Sequence, residues 1–161
     1  MRKKIIIILG IFLSCITTKV SAMTIGEENN NKITNTNIEE KEIVEGYIDG
    51  RLRSLQLPTN SLDLSRQSYR ANIVSASSRW LYTDVYFKTN NTIRINYNLT
   101  SNNGQNAKIG IYDITTGSWV KTVNGLVGTT SKSGLNSTHK YAVAFSGNGT
   151  NTINGSAIIT N

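Results

Sequence analysis

Apolar and polar residues alternate over much of the chain after about residue 68. In residues 92–100, Ile93, Ile95, Tyr97 and Leu99 occupy every second position, which is typical of a β-strand with one buried face. Similar stretches lie at residues 80–88, 108–115, 119–123, 141–145 and 153–160. The pattern predicts about six to eight short strands with no helix between them.

Turn-forming pairs separate these stretches. Asn-Gly pairs begin at positions 103, 124 and 154, and a Thr-Gly pair begins at position 116. Such pairs between alternating segments indicate β-hairpins. We therefore predict an all-β domain over residues 68–161, an antiparallel β-sandwich of the jelly-roll type, with a β-barrel as the alternative.

Residues 39–56 show a different spacing. Apolar residues recur there every three or four positions, as on one face of a helix: Ile43, Val44, Tyr47, Ile48, Leu52 and Leu55. Acidic residues lie at the start and arginines near the end, which suits a helix dipole, although Gly46 and Gly50 oppose a helix. The sequence predicts a short N-terminal amphipathic helix within an acidic helical segment and linker over residues 38–67.

Residues 1–22 have the pattern of a secretory signal peptide. A basic start is followed by the apolar residues 5–13, and small residues precede a cleavage site after Ala22. The apolar run is shorter than the roughly 20 residues that a transmembrane helix needs. We expect a secreted, extracellular bacterial protein whose residues 23–37 form a disordered polar leader; a lipoprotein anchored at Cys15 is the weaker alternative.

Removal of the signal peptide changes the charge and the cysteine count. The whole chain carries 17 basic and 10 acidic residues, a net charge of +7. Four of the basic residues lie in residues 1–22, so the remaining net charge is +3. We therefore expect no nucleic-acid partner. Cys15 is the only cysteine, so the chain after Ala22 has no thiol chemistry.

Few residues could support catalysis or hold a metal. His139 is the only histidine, and no GxSxG motif accompanies it. A glycosidase would need two carboxylates, and the predicted sandwich offers only Asp84 and Asp113, the second of which fits a turn-shaping role. We expect His139 to be solvated, and we expect neither an enzyme nor a cofactor or metal.

The candidate ligand-binding residues are aromatic. Strand alternation places Trp80, Tyr82 and Tyr86 on one face together with Asp84. Two further aromatic residues, Tyr112 and Trp119, could extend this face into a platform for sugar rings. The alternative is that the rings are buried, by the opposite sheet and by the predicted helix.

Residues 107–160 resemble the bacterial pre-peptidase C-terminal type of secreted β-sandwich. The resemblance lies in residues 108–113 (KIGIYD), Val120, Gly134-Leu135, residues 141–143 (YAV) and residues 155–159 (GSAII). It implies a β-sandwich that accompanies secreted enzymes and serves binding or secretion. The acidic residues common in the loops of those domains are missing here.

Three functions remain open. The first is a secreted, non-catalytic β-sandwich that binds a glycan, a cell-wall polymer or a host surface, as in carbohydrate binding or adhesion. The second is a protein-interaction factor (an inhibitor, a toxin component or a self-assembling matrix protein) that uses the helix or a sheet edge. The third is a small hydrolase based on Asp84 or His139.

Overall fold

The computed structural model describes residues 41–50 and 56–161, and its regular elements there are all strands. The strands are β1 (Glu42–Asp49), β2 (Asn60–Asp63), β3 (Gln67–Ala76), β4 (Leu81–Tyr82), β5 (Val85–Lys88), β6 (Ile93–Ser101), β7 (Ala107–Asp113), β8 (Ser118–Gly125), β9 (Val127–Lys132), β10 (Tyr141–Ser146) and β11 (Ile153–Thr160). The predicted leader and signal peptide lie outside the described residues.

The strands form two sheets in a sandwich-like arrangement. The first sheet has the order β1-β3-β11-β6-β9, and the second has the order β2-β5-β10-β7-β8, with β4 paired to β10. Neighbouring strands are antiparallel except at one end of each sheet, where β1 is parallel to β3 and β2 is parallel to β5. The prediction of an antiparallel sandwich is therefore corrected to two mixed sheets, because β1 and β2, which lie before the predicted start at residue 68, join the sheets as parallel strands. Neither sheet closes into a barrel within the described residues.

The predicted N-terminal helix is not seen, because Glu42–Asp49 form strand β1. Val44 and Ile48, four positions apart, fit a helix face, but an even spacing also places both on one face of a strand. In β1 that face points inward, with Gly46 between them opposite Ala71 of β3. Residues 38–40 and 51–55 of the predicted segment lie outside the described residues.

Large apolar side chains from both sheets fill the space between them. The fully buried ones include Tyr69, Ile73, Ile93, Ile95, Ile153 and Ile159 from the first sheet, and Phe87, Ile109, Ile111, Tyr141 and Phe145 from the second. The rings of Tyr69 and Phe87 meet across the core edge to face, with centroids 5.4 Å apart. Each such side chain contributes about 1.5–3 kcal/mol through burial, so this interior is what holds the sheets together.

Candidate functional site

The outer face of the second sheet has small residues at its centre. Ala142 and Ala144 of β10 alternate with core residues, and Ala144 lies opposite Gly110 of β7. All three are buried although they point away from the core. Larger side chains of neighbouring strands must therefore cover them.

Four aromatic side chains provide that cover: Trp80, Tyr82, Tyr112 and Trp119, which we call the aromatic patch. Tyr82 lies opposite Ala144, and Tyr112 lies between Ala142 and Trp119 in the strand register. The ring of Trp119 lies 4.4 Å from that of Trp80 and 5.0 Å from that of Tyr112, measured between centroids. Tyr82 completes the patch, nearly parallel to Trp119 at 13°.

The patch is neither fully buried nor fully exposed. Trp119 keeps 37% of its surface in contact with solvent, and Trp80, Tyr82 and Tyr112 are half-buried. Burial, with a smaller contribution from the neighbouring Tyr112, raises the pKa of the Tyr82 phenol, so its hydroxyl stays neutral at physiological pH. A neutral hydroxyl can both donate and accept a hydrogen bond beside the rings.

A cleft of about 270 Å³ adjoins the patch. It is lined by residues 47–49 at the end of β1, residues 56–59 and residues 81–84. Tyr82 therefore belongs to both the patch and the cleft. The cleft also contains exposed apolar surface from Tyr47 and Leu57.

Asp84 borders this cleft, and its carboxylate already has a hydrogen-bond partner within the protein. It accepts a hydrogen bond from the buried Tyr69 hydroxyl, which reaches out between the sheets from β3. Burial, together with the hydrogen bond to Asp84, raises the pKa of Tyr69, so the phenol remains the donor. Asp84, which lies between β4 and β5, is therefore tied to the core through Tyr69.

Tyr86 has a different neighbour from the other aromatic residues. The Lys140 ammonium lies over its ring, 5.1 Å from the centroid. Because Phe87 beside it points into the core, Tyr86 points to the outer face, the same side of the sheet as the aromatic patch. The structure records no ring contact between Tyr86 and the patch among the described residues.

Asp113 shapes a turn, as the sequence predicts. Its carboxylate accepts hydrogen bonds from the backbone N–H groups of Thr115 and Thr116, and from the His139 ring at 2.7 Å. Burial alone would raise the pKa of Asp113, but these hydrogen bonds, led by that from His139, outweigh it and lower the pKa. The prediction of a solvated His139 is wrong, because the ring is paired with Asp113 and is mostly buried.

The two carboxylates considered for hydrolysis have separate partners, Tyr69 for Asp84 and His139 for Asp113. Within the described ranges, no three His, Cys, Asp or Glu side chains are grouped so that they could hold a metal ion. The described part of the chain also includes no helix with the length and hydrophobicity of a membrane span.

Four of the six predicted site residues thus come together as the aromatic patch, while Asp84 and Tyr86 have other contacts. Sequence reasoning missed the buried centre under the rings, although the alternation of alanines in Tyr141–Ser146 was a signal for it. Comparison of the sequence with protein-family models finds no match, and comparison with curated proteins finds none either.

Proposed function

We propose that the protein is a secreted, non-catalytic binding module whose aromatic patch holds a polysaccharide of a cell wall or host surface. The observation that carries this proposal is the grouping of four half-exposed aromatic rings on the outer face of one sheet. Sugar rings present C–H groups that pack on aromatic faces, and their hydroxyls bond to nearby polar groups. Pockets for such ligands combine aromatic surface with a few polar groups.

Trp119 is the residue most suited to contact the ligand. It is the most exposed member of the patch, and its ring lies over Gly110, which fixes its position on the sheet. Tyr82 supplies a neutral hydroxyl beside it and connects the patch to the cleft. A polymer lying on Trp119 would therefore find further contacts along one direction, toward Tyr47 and Leu57.

The experiment is a pull-down of the purified protein on insoluble polysaccharides and on cell walls of the producing bacterium. Trp119→Ala is compared with Val127→Ala, which removes an apolar side chain that is 70% exposed on the other sheet. We expect saturable binding by the parent and by Val127→Ala. Trp119→Ala should lose binding while it remains folded, at a stability cost of about 1–2 kcal/mol for its partly buried ring. No binding to any glycan would overturn the proposal.

A protein partner is the second candidate, and the edge of the first sheet favours it. Among the described strands, β1 pairs only with β3 and lies at the end of the first sheet. Its side chains Ile43 and Tyr47 are 46% and 60% exposed. Edge strands with exposed apolar groups can pair with a strand of another chain. A concentration-dependent increase in mass on light scattering, abolished by Ile43→Lys, would support self-association through β1.

Export is part of the proposal and has its own test. We propose that residues 1–22 are removed during secretion and that the jelly-roll connectivity predicted from the sequence is that of the secreted domain. Amino-terminal sequencing of protein from the culture medium should begin at Met23. A mass increase from a lipid on Cys15 would instead identify a lipoprotein.

A further inference from the structure

The outer face of β7 continues past the aromatic patch to a lysine. Tyr112, Gly110 and Lys108 alternate along this strand on the side away from the core. The Trp119 ring lies over Gly110, two residues from Lys108. Strands rise about 3.3 Å per residue, so the Lys108 Cα lies about 7 Å along the strand from Gly110. A ligand on Trp119 is therefore within reach of the Lys108 side chain.

Lys108 stands in a polar hollow of about 420 Å³. The other lining residues are Gly104, Gln105, Asn106, Asn124 and Asn148. The side-chain amides of Asn106, Asn124 and Asn148 make no hydrogen bond with any residue that the structure describes. The hollow thus combines one ammonium with several amide N–H donors, the groups that bind an oxyanion.

Among the residues that the structure describes, no carboxylate neutralises the charge of Lys108. Residues 56–161 contain nine Lys and Arg side chains but only three carboxylates: Asp63, Asp84 and Asp113. These carboxylates contact Arg66, Tyr69 and His139 respectively. Over residues 41–50 and 56–161, Lys108 is exposed and forms no ion pair. An anionic group of a ligand would supply the missing countercharge.

We propose that this hollow is an anion subsite and that the ligand is an acidic polysaccharide, with its sugar rings on the aromatic patch and an acidic group at Lys108. The inference rests on the proposed function and names the substrate class of the same face. Lys140, over the ring of Tyr86 on this face, supplies a second cation for a polymer with repeated negative charges. Carboxylate and phosphate share the required chemistry, a charged oxyanion.

The test measures affinity by isothermal calorimetry for three polymers: polygalacturonate, its methyl ester and a phosphate-containing wall polymer. The methyl ester keeps the sugar backbone and removes the charge. Lys108→Gln is compared with Lys132→Gln, which removes a cation from β9 of the other sheet. We expect Lys108→Gln to lower affinity for the acidic ligand about five- to ten-fold at low salt, an effect that salt weakens.

The three polymers separate the outcomes. Preference for polygalacturonate identifies a carboxylate ligand, and preference for the wall polymer identifies a phosphate; both support the inference. Equal binding of the methyl ester and the acid by both variants, still lost in Trp119→Ala, overturns the anion subsite but leaves the proposed function intact. If the parent protein binds none of the three polymers and also no glycan in the pull-down, both the anion subsite and the proposed function are overturned.

Discussion

The Trp119 ring lies directly over the backbone of Gly110. A Cβ atom at position 110 would overlap the ring and lie 2.8 Å from its Cε3 atom, closer than side chains pack. Because Gly110 of β7 has no side chain, the Trp119 ring of β8 can lie directly on the sheet at this position. This relationship connects a single backbone position in the sheet to the geometry of the aromatic patch.

Gly110→Ala should displace the Trp119 ring and weaken polysaccharide binding, at a stability cost of about 1–3 kcal/mol because the ring must shift away from its contacts with Trp80 and Tyr112. Tryptophan fluorescence and a binding assay measure the two effects. The control is a double-mutant cycle with Trp119→Ala. Once the ring is gone, Gly110→Ala should have little further effect on binding. Equal effects of Gly110→Ala in both backgrounds would contradict the relationship.

Gly46→Ala distinguishes a strand from a helix at residues 42–49 by the sign of its effect. In a helix this change stabilises by about 1 kcal/mol. In β1 the new Cβ would overlap the Tyr69 hydroxyl and lie 2.7 Å from the Asp84 Oδ1 atom. We therefore expect a destabilisation of about 1–3 kcal/mol, measured by chemical denaturation. An increase in the free energy of unfolding would show that β1 is not packed on Tyr69.

Alternation revealed strands where one face is buried and the other solvated. The 92–100 stretch became β6 (Ile93–Ser101) and the 153–160 stretch became β11 (Ile153–Thr160). The 80–88 stretch was predicted as one strand, but it divides at Thr83 and Asp84 into β4 and β5, because Asp84 bonds to Tyr69 at this bend. A hydrogen bond between distant residues leaves no local pattern, so the sequence could not reveal it.

The helix prediction failed for a related reason. The Tyr69 hydroxyl and the Asp84 carboxylate pack against Gly46 of β1 so closely that a side chain at this position would overlap the hydroxyl. This tertiary packing outweighs the helical spacing of the local sequence. The aromatic patch was better predicted, because strand alternation already placed Trp80 and Tyr82 on one face. The sequence could not tell whether the rings would be covered, since that depends on the small residues of β7 and β10.

Trp80→Ala should have a smaller stability cost than a core substitution. Trp80 is half-buried against Trp119, whereas Phe87 is fully buried against Tyr69. We expect Trp80→Ala to destabilise by about 1–2 kcal/mol and Phe87→Ala by about 3–5 kcal/mol in chemical denaturation. A Trp80→Ala effect as large as that of Phe87→Ala would place Trp80 in the core and weaken its assignment to a binding surface.

The Asp113 carboxylate should stabilise the protein in a pH-dependent way. Its pKa is lowered below the ordinary value of 3.8, so the folded state favours the charged form. This stabilisation is present above the unfolded pKa and is lost as the pH falls through the lower folded pKa. Asp113→Asn should therefore cost about 1–3 kcal/mol at neutral pH. The neutral amide oxygen accepts the Thr115 and Thr116 N–H groups more weakly, and an NH2 group replaces the oxygen that is bonded to His139.

Urea denaturation measures the free energy of unfolding of the parent and of Asp113→Asn. The measurement is repeated at a series of pH values from neutral to about 2. The difference between the two proteins should shrink as the pH falls below 3.8, because the unfolded carboxylate is protonated there first, and it should level off below the lower folded pKa. Asp63→Asn is the matched control: its carboxylate pKa is lowered through the Ser65 hydrogen bonds, but it is far more exposed and should contribute less. A difference that grows on acidification would show that the hydrogen bonds at this turn do not favour the charged carboxylate.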